Sequence, residues 1–336
     1  MSRNLIIFTT ICRLFKIENS EEKQICKKII LLLSFLSLMA SCACISGLAE
    51  PASKFQRASG IVAVLTNFGT EDYYVGALEG TIYNADPTVR ISTISHQVKP
   101  FDITEGSYIL AKAARWYPTG TVFVGDVDPG STRDRRFIVM TTLDSKLFVG
   151  PDNGLFTEVI HDLGLAHAYQ ITNQSLMNRE NESATFQGLS VDGPVAAHLA
   201  GGVRPEEVGP EIRDLVQLPV TQPEMNESEI IGSVVHVDHY GNLITNISGR
   251  LVTNAGFVPG LPLSIKLSNQ SVNATFATTY GDVAAGQWLA LISSDGAVEV
   301  ARNLENAAKT IGASAGVKVT LLRESNKHSK DGKDGL

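Results

Sequence analysis

From Gly60 onward the hydrophobic positions alternate between two periods. Ile61-Val62-Ala63-Val64-Leu65 is a short, continuous apolar run and predicts a buried strand. Asp72 to Ala85 predicts a helix that stops before Pro87, and Val89 to Ile94 a second strand. Thr104 to Trp116 predicts a second helix, with Thr104 as its N-cap and Pro118 beyond its end. Thr121 to Val127 predicts a third strand. This rhythm calls for a largely parallel sheet covered by helices. Phe137 to Thr142 and Lys146 to Val149 predict a hairpin, and Gly154 to Leu163 and Val191 to Ala200 further helices.

The rhythm changes after Pro210. Residues 216–228 form a Pro-containing polar linker, and strands then recur with little helix. Ile230–Val237, Leu263–Leu267, Ser271–Ala277, Trp288–Ile292 and Val298–Ala301 alternate with turns such as Ser294-Asp295-Gly296. One helix, Leu304 to Ile311, precedes a last strand, Val317 to Leu322. The expected organisation is an α/β domain at 58–215, an all-β, barrel-like domain at 229–324 and a polar tail at 325–336.

Ahead of these domains, Ile29 to Ala49 carry no charge and follow Lys27-Lys28. Small residues at Gly47 and Ala49 complete a secretory-signal pattern, so export is expected. Two other readings of 29–49 are an uncleaved membrane anchor and a lipoprotein box at Met39-Ala40-Ser41-Cys42. Cysteine divides the 336-residue chain at the same place: Cys12, Cys26, Cys42 and Cys44 all fall in the leader. The body therefore lacks disulfides, thiolate metal sites and a catalytic thiol. Residues 50–336 hold 22 basic and 32 acidic side chains, a net charge of −10, which is not a nucleic-acid-binding footprint.

Polar loops begin where the parallel strands end, the edge at which such sheets bind ligands. They are Thr66-Asn67-Phe68-Gly69, Ser95-His96-Gln97, Asp126-Val127-Asp128-Pro129-Gly130 with Arg133 to Arg136, and Pro151-Asp152-Asn153-Gly154. Each has an ordinary reading as a turn, a charge run or a helix cap; four on one edge suggest a site. His198 reads as a helix histidine. His236 and Asp238 share a strand face that His239 does not, so no metal site is expected there.

Taken in order, these segments carry a resemblance. Thr66-Asn67-Phe68-Gly69, Val127-Asp128-Pro129-Gly130, Pro151-Asp152-Asn153-Gly154, Pro194-Val195-Ala196-Ala197-His198-Leu199 and Asp238 to Ile247 resemble the adenosine-forming S-adenosyl-L-methionine hydrolase family. That family is related to the fluorinase and chlorinase. The resemblance covers about residues 60–323. It implies water attack at the ribose 5′ carbon, releasing adenosine and methionine, with no cofactor and no metal. It also implies a homotrimer whose sites lie between the N-terminal domain of one subunit and the C-terminal domain of the next.

By the same resemblance, Asp128 and Arg135 hold the attacking water, and Gln187 stands where the family has His. Gln can hydrogen-bond water but cannot take its proton. Asn67 replaces the Asp that binds the ribose hydroxyls, and Phe101 matches an aromatic residue near the sulfonium. Asp238, Tyr240, Asn242, Tyr280, Ser294 and Arg302 match substrate contacts in the barrel, while Asp295 stands where the fluorinase has Arg. The implied function is S-adenosylmethionine hydrolysis, slowed by Asn67 and Gln187. The alternatives are an exported nucleoside-binding protein and a halogenase.

Overall fold

A computed structural model describes residues 58–323 apart from 128–134, 180–182, 184 and 227–228, together with Gln24 and Lys28. The leader, the polar tail and Asp128 thus lie outside the described residues. Among those described, no helix is long and apolar enough to cross a membrane.

The N-terminal domain follows the predicted alternation. Its elements are β1 (Ile61–Thr66), α1 (Tyr74–Ala85), β2 (Arg90–Ser95), α2 (Ile103–Ala114), β3 (Val122–Asp126), β4 (Phe137–Thr142), β5 (Leu147–Pro151), α3 (Thr157–Leu163), β6 (Leu165–Gln170) and α4 (Gly193–Ala200). The sheet order is β2-β1-β3-β5-β4-β6. The first four strands are parallel, and β4 and β6 add an antiparallel edge. β1, β3, β4 and β5 are buried almost throughout, which explains their unbroken apolar runs. Phe123 and Phe148 stack at 4.6 Å in the core.

Two local readings change. The N-cap of α2 is Asp102, not Thr104: its carboxylate accepts the Glu105 N–H at 2.9 Å. Asp is the stronger cap, and Glu105 in turn accepts the Lys99 N–H at 2.8 Å. Asn153 does not cap α3, which begins at Thr157; its amide instead donates to the Val127 carbonyl at 2.9 Å, joining the β5 loop to the end of β3.

The C-terminal domain contains β7 (Glu224–Met225), β8 (Glu229–Val237), β9 (Leu243–Ser248), α5 (Gly249–Asn254), β10 (Pro262–Leu267), β11 (Gln270–Phe276), β12 (Trp288–Ile292), β13 (Ala297–Arg302), α6 (Ala307–Ile311) and β14 (Lys318–Arg323). The order β14-β10-β11-β12-β13-β9-β8 closes through β14 on β8 into a seven-stranded barrel, with β7 as a short addition on β8. Closure removes the free edges that an open sheet exposes. Ile230, Leu243, Ile265, Phe276, Val300 and Leu321 fill its interior.

The two domains meet along α2. Tyr108 stacks on His236 of β8 at 4.9 Å, and its hydroxyl donates to Asp295 at 2.8 Å. Burial together with the Asp295 charge holds the Tyr108 proton far above the ordinary phenol range. Burial pulls the His236 imidazole below its usual value, favouring the neutral ring that stacks.

Candidate functional site

The site residues fall into two groups, each built by its own domain. The first lies at the C-terminal edge of the parallel sheet. Thr66 ends β1 in register with Asp126, which ends β3. The buried Thr66 hydroxyl meets His96 Nδ1 at 2.9 Å, and the His96 carbonyl accepts the Gly69 N–H at 2.8 Å. The loops after β1 and β2 are thereby held together, with half-buried Asn67 between them. Burial lowers the His96 affinity for a proton, so the neutral ring is favoured.

A third segment closes over this edge. Phe186 packs edge-on against Phe68 at 5.1 Å and against Tyr74 at 5.5 Å. Residues adjacent to Asn67 and Gln187 are therefore in direct contact. Beyond Gln187 the chain makes one π-helical turn, Gly188–Asp192, before α4 begins with Pro194 in its first turn. π-turns are rare and gather at functional sites. Gly188 sits so close to Asp126 that a Cβ there would fall 2.5 Å from the Asp126 carboxylate. Arg135 lies just before β4, its guanidinium 5.9 Å from the Phe137 ring. Neighbouring Arg136 is not a solvated charge: it pairs with Asp152 and, at 3.0 Å, with Asp214. The structure thus brings the Asn67 and Gln187 segments together at the ends of β1 and β3, and places Arg135 just ahead of β4.

Asp192 has no counterpart among the residues predicted from the sequence. It is completely buried, and among the described residues neither carboxyl oxygen has a hydrogen-bond partner. Burial, reinforced by the Asp126 charge and opposed by Arg135, holds its proton well above the usual carboxylate range. Its sequence context, Val191-Asp192-Gly193-Pro194, looks like a helix start, so no signal beyond an acid inside an apolar run pointed to it.

The second group lies on the barrel, around the turn from β8 to β9. Asp238 accepts the Asn242 backbone N–H at 2.8 Å and its side-chain amide at 2.9 Å. Gly241 makes this turn at φ 86°, and a Cβ there would collide with Asn306. The Tyr280 hydroxyl donates to Glu299 at 2.6 Å. Burial, followed by this bond, raises the Tyr280 proton affinity, and burial also raises that of Glu299. Glu299, on β13, is a further residue that sequence reasoning missed; an acid between Val298 and Val300, on the strand face opposite the barrel core, was its only mark.

The remaining positions differ in how much of their surface is committed. Phe101 is 69% exposed at a left-handed φ of 69°, and Tyr240 is 76% exposed. Both present aromatic faces outward. Ser294 is exposed in the β12–β13 turn, where the recorded bonds belong to Ser293 and Asp295. Arg302 lies 5.4 Å from the Trp288 ring and donates to the Gly286 carbonyl, Thr310 and Glu305. It braces the β13 end of the barrel.

Two other features compete for attention. A cleft of about 440 Å³ between the domains is lined by Tyr108, Arg115, Thr221, Ser233 and Asp295, and none of the predicted site residues lines it. Glu158, His161 and Asp162 bring possible metal-ligand atoms within 4.8 Å of one another. Asp162, however, is already paired with Lys112 at 2.9 Å and Arg115 at 2.8 Å, and those cations offset its burial and keep it ionised.

The comparisons with known proteins agree with this division. Residues 62–209 match the SAM hydroxide adenosyltransferase N-terminal domain, and residues 232–320 match the C-terminal domain of the same family. The (R)-S-adenosyl-L-methionine hydrolase of Salinispora tropica is 35% identical over 258 residues, spanning 76% of this chain and 95% of the relative. That of Methanocaldococcus jannaschii is 32% identical over 260 residues, spanning 75% and 91%. The fluorinase of Nocardia brasiliensis is more distant, at 27% over 292 residues, spanning 78% and 96%. The crystal structure of an uncharacterized conserved protein from Thermotoga maritima superposes with a TM-score of 0.76 at 33% identity, covering 78% of this chain and 100% of that one. Matched in both domains and in the order in which they occur, the chain belongs to the SAM hydroxide adenosyltransferase family.

Proposed function

We propose that this protein hydrolyses S-adenosyl-L-methionine to adenosine and L-methionine. The observation that carries the reading is the contact of Phe68 with Phe186, which brings the Asn67 and Gln187 segments to one sheet edge, in a chain whose relatives include (R)-S-adenosyl-L-methionine hydrolases. The substrate supplies much of the chemistry. Its sulfonium leaves the ribose 5′ carbon as a neutral thioether, so the leaving group needs no general acid. The protein has to orient a water, exclude others and provide a route for one proton. Asp128 and Arg135 orient that water, Arg135 through its fixed fork of donors. Gln187 adds a hydrogen bond, and Asn67 binds the ribose through an uncharged acceptor, weaker than a carboxylate. Neither change removes the positioning of the water, so turnover is reduced rather than abolished.

The barrel supplies recognition. Asp238, Asn242, Tyr240 and Tyr280 offer hydrogen bonds and aromatic faces to the methionine and adenine ends, and Ser294 and Arg302 complete this side. The exposure of Phe101 and Tyr240 supports a homotrimer in which a neighbouring subunit covers each half-site. The charge-free stretch at 29–49 supports export of the body.

Incubating the purified protein with S-adenosylmethionine tests the reading: adenosine and methionine should appear in equal amounts. Turnover no faster than in buffer would sink it. Asn67 and Gln187 favour a second reading, a nucleoside-binding protein without catalysis. The double change Asn67→Asp with Gln187→His separates the two, since hydrolysis rises at least about 10-fold in an enzyme lacking only its proton acceptor and does not rise in a binding protein.

A further inference from the structure

Replacing the family His by Gln187 removes one acceptor for the proton of water and leaves the carboxylates of this edge to take it. Asp126 occupies the centre of the sheet edge. It ends β3 beside Thr66, which precedes Asn67, and its carboxylate presses against Gly188, which follows Gln187. Asp192, four residues further along, is buried with both carboxyl oxygens unpartnered among the described residues. The turn carrying it packs against α1, α4, β3 and β5. From these surroundings the charged groups acting on Asp192 are Asp126 on β3 and Arg135 before β4, while α1 presents the Thr81 hydroxyl to the turn at Gly193. Two carboxylates in one dry site resist being ionised together.

We propose that Asp126 and Asp192 work as a pair that carries one proton at neutral pH, and that Asp126, its ionised member, accepts the proton of the attacking water in place of Gln187. This rests on the hydrolase reading above. In the step, the water oxygen bonds to the ribose 5′ carbon. The carbon–sulfur bond breaks, and its electron pair leaves on sulfur as the neutral thioether of methionine. One water proton passes to the Asp126 carboxylate and is released to solvent before the next turnover. Asp192 is a positioning residue: held neutral, it lets Asp126 stay charged in a buried place, with Arg135 as counter-ion.

Two measurements on the protein test this. The first is infrared spectroscopy of protein labelled with ¹³C-aspartate. At pH 7 it should show the carbonyl band of a protonated aspartic acid, and Asp192→Asn should remove that band. The second is the pH–rate profile of S-adenosylmethionine hydrolysis. Asp126→Asn should lower kcat by at least about 100-fold with little change in KM. Asp192→Asn should leave the acid limb in place, because a neutral acid is replaced by a neutral amide, and should abolish any alkaline limb set by loss of the pair's second proton. The pair is overturned if the band survives Asp192→Asn or is absent from the starting protein. The acceptor role is overturned if Asp126→Asn leaves kcat and the profile unchanged. Loss of rate on chelation with recovery in Mg²⁺ also overturns it, because the pair would then hold a cation. In a protein that makes no adenosine, the acceptor role falls with the hydrolase reading, while the infrared band still decides the pair.

Discussion

Asp192 and Glu299 are both buried acids, one in each domain, and burial resists the ionisation of each. Their housing is opposite. Glu299 accepts a hydrogen bond from Tyr280 and belongs to a connected polar group on the barrel. Asp192 has no hydrogen bond to its side chain among the described residues, and the Asp126 charge reinforces the effect of its burial. A satisfied buried acid is explained by the structure it braces, as Glu299 orients Tyr280. An unsatisfied one lowers stability, and a chemical role is the natural reason for its presence. On the proposed hydrolase reading, the contrast puts reaction at the sheet edge and recognition on the barrel.

The largest expected effect breaks or sharpens that division directly. Arg135→Ala at the sheet edge should lower kcat for S-adenosylmethionine by at least about 100-fold. A loss confined to KM would move Arg135 to the recognition side.

Stability provides the next test, and the two acids should respond with opposite signs. Glu299→Ala strands the Tyr280 hydroxyl and opens space, and should destabilise by about 2–3 kcal/mol in chemical denaturation. Asp192→Asn should instead stabilise, in a pH-dependent way. The folded protein holds the Asp192 proton more tightly than the unfolded chain, whose carboxyl titrates near 3.8. The native state therefore binds more protons, and this contribution to stability is present in full below about pH 4 and declines as pH rises. Thermal melts should show Asp192→Asn matching the parent near pH 3–4 and exceeding it increasingly towards neutrality. Equal melting temperatures at pH 7 would mean that Asp192 is ionised and partnered.

The smallest effect belongs to a single hydrogen bond. Tyr280→Phe keeps the ring and removes the bond to Glu299, so it should weaken substrate binding by about 1 kcal/mol, seen as a several-fold rise in KM with kcat held. A fall in kcat without a change in KM would place reaction chemistry on the barrel.

Much of the fold was legible because both periods were strong. The buried β1, β3 and β4 are apolar runs bounded by turn residues, and the six strands read in the C-terminal half recur in the barrel within one residue at each end. Elements that escaped detection had weak patterns. β6 follows α3 through the single residue Gly164, and exposed residues occupy its first half. β9 lies within Leu243-Ile244-Thr245-Asn246-Ile247, which reads as a motif before it reads as a strand. The site was legible in part through the family resemblance. Asn67, Arg135 and Gln187 stand at positions that its motifs mark, whereas Asp192 and Glu299 are single acids whose meaning depends on what surrounds them.

The sequence by itself determined the two-domain plan, the separation of a cysteine-bearing leader from a thiol-free body, and the residue types standing at the motif positions. These depend on local periodicity and composition, which neighbours in the chain report. Only the tertiary structure decided that β14 closes the barrel on β8, that Phe186 brings Gln187 beside the Asn67 loop, and that Asp126 is buried against the turn that ends in buried Asp192. The physical reason is range. Each of these depends on groups that folding alone brings together, and whether a carboxyl keeps its proton is set by those neighbours in space.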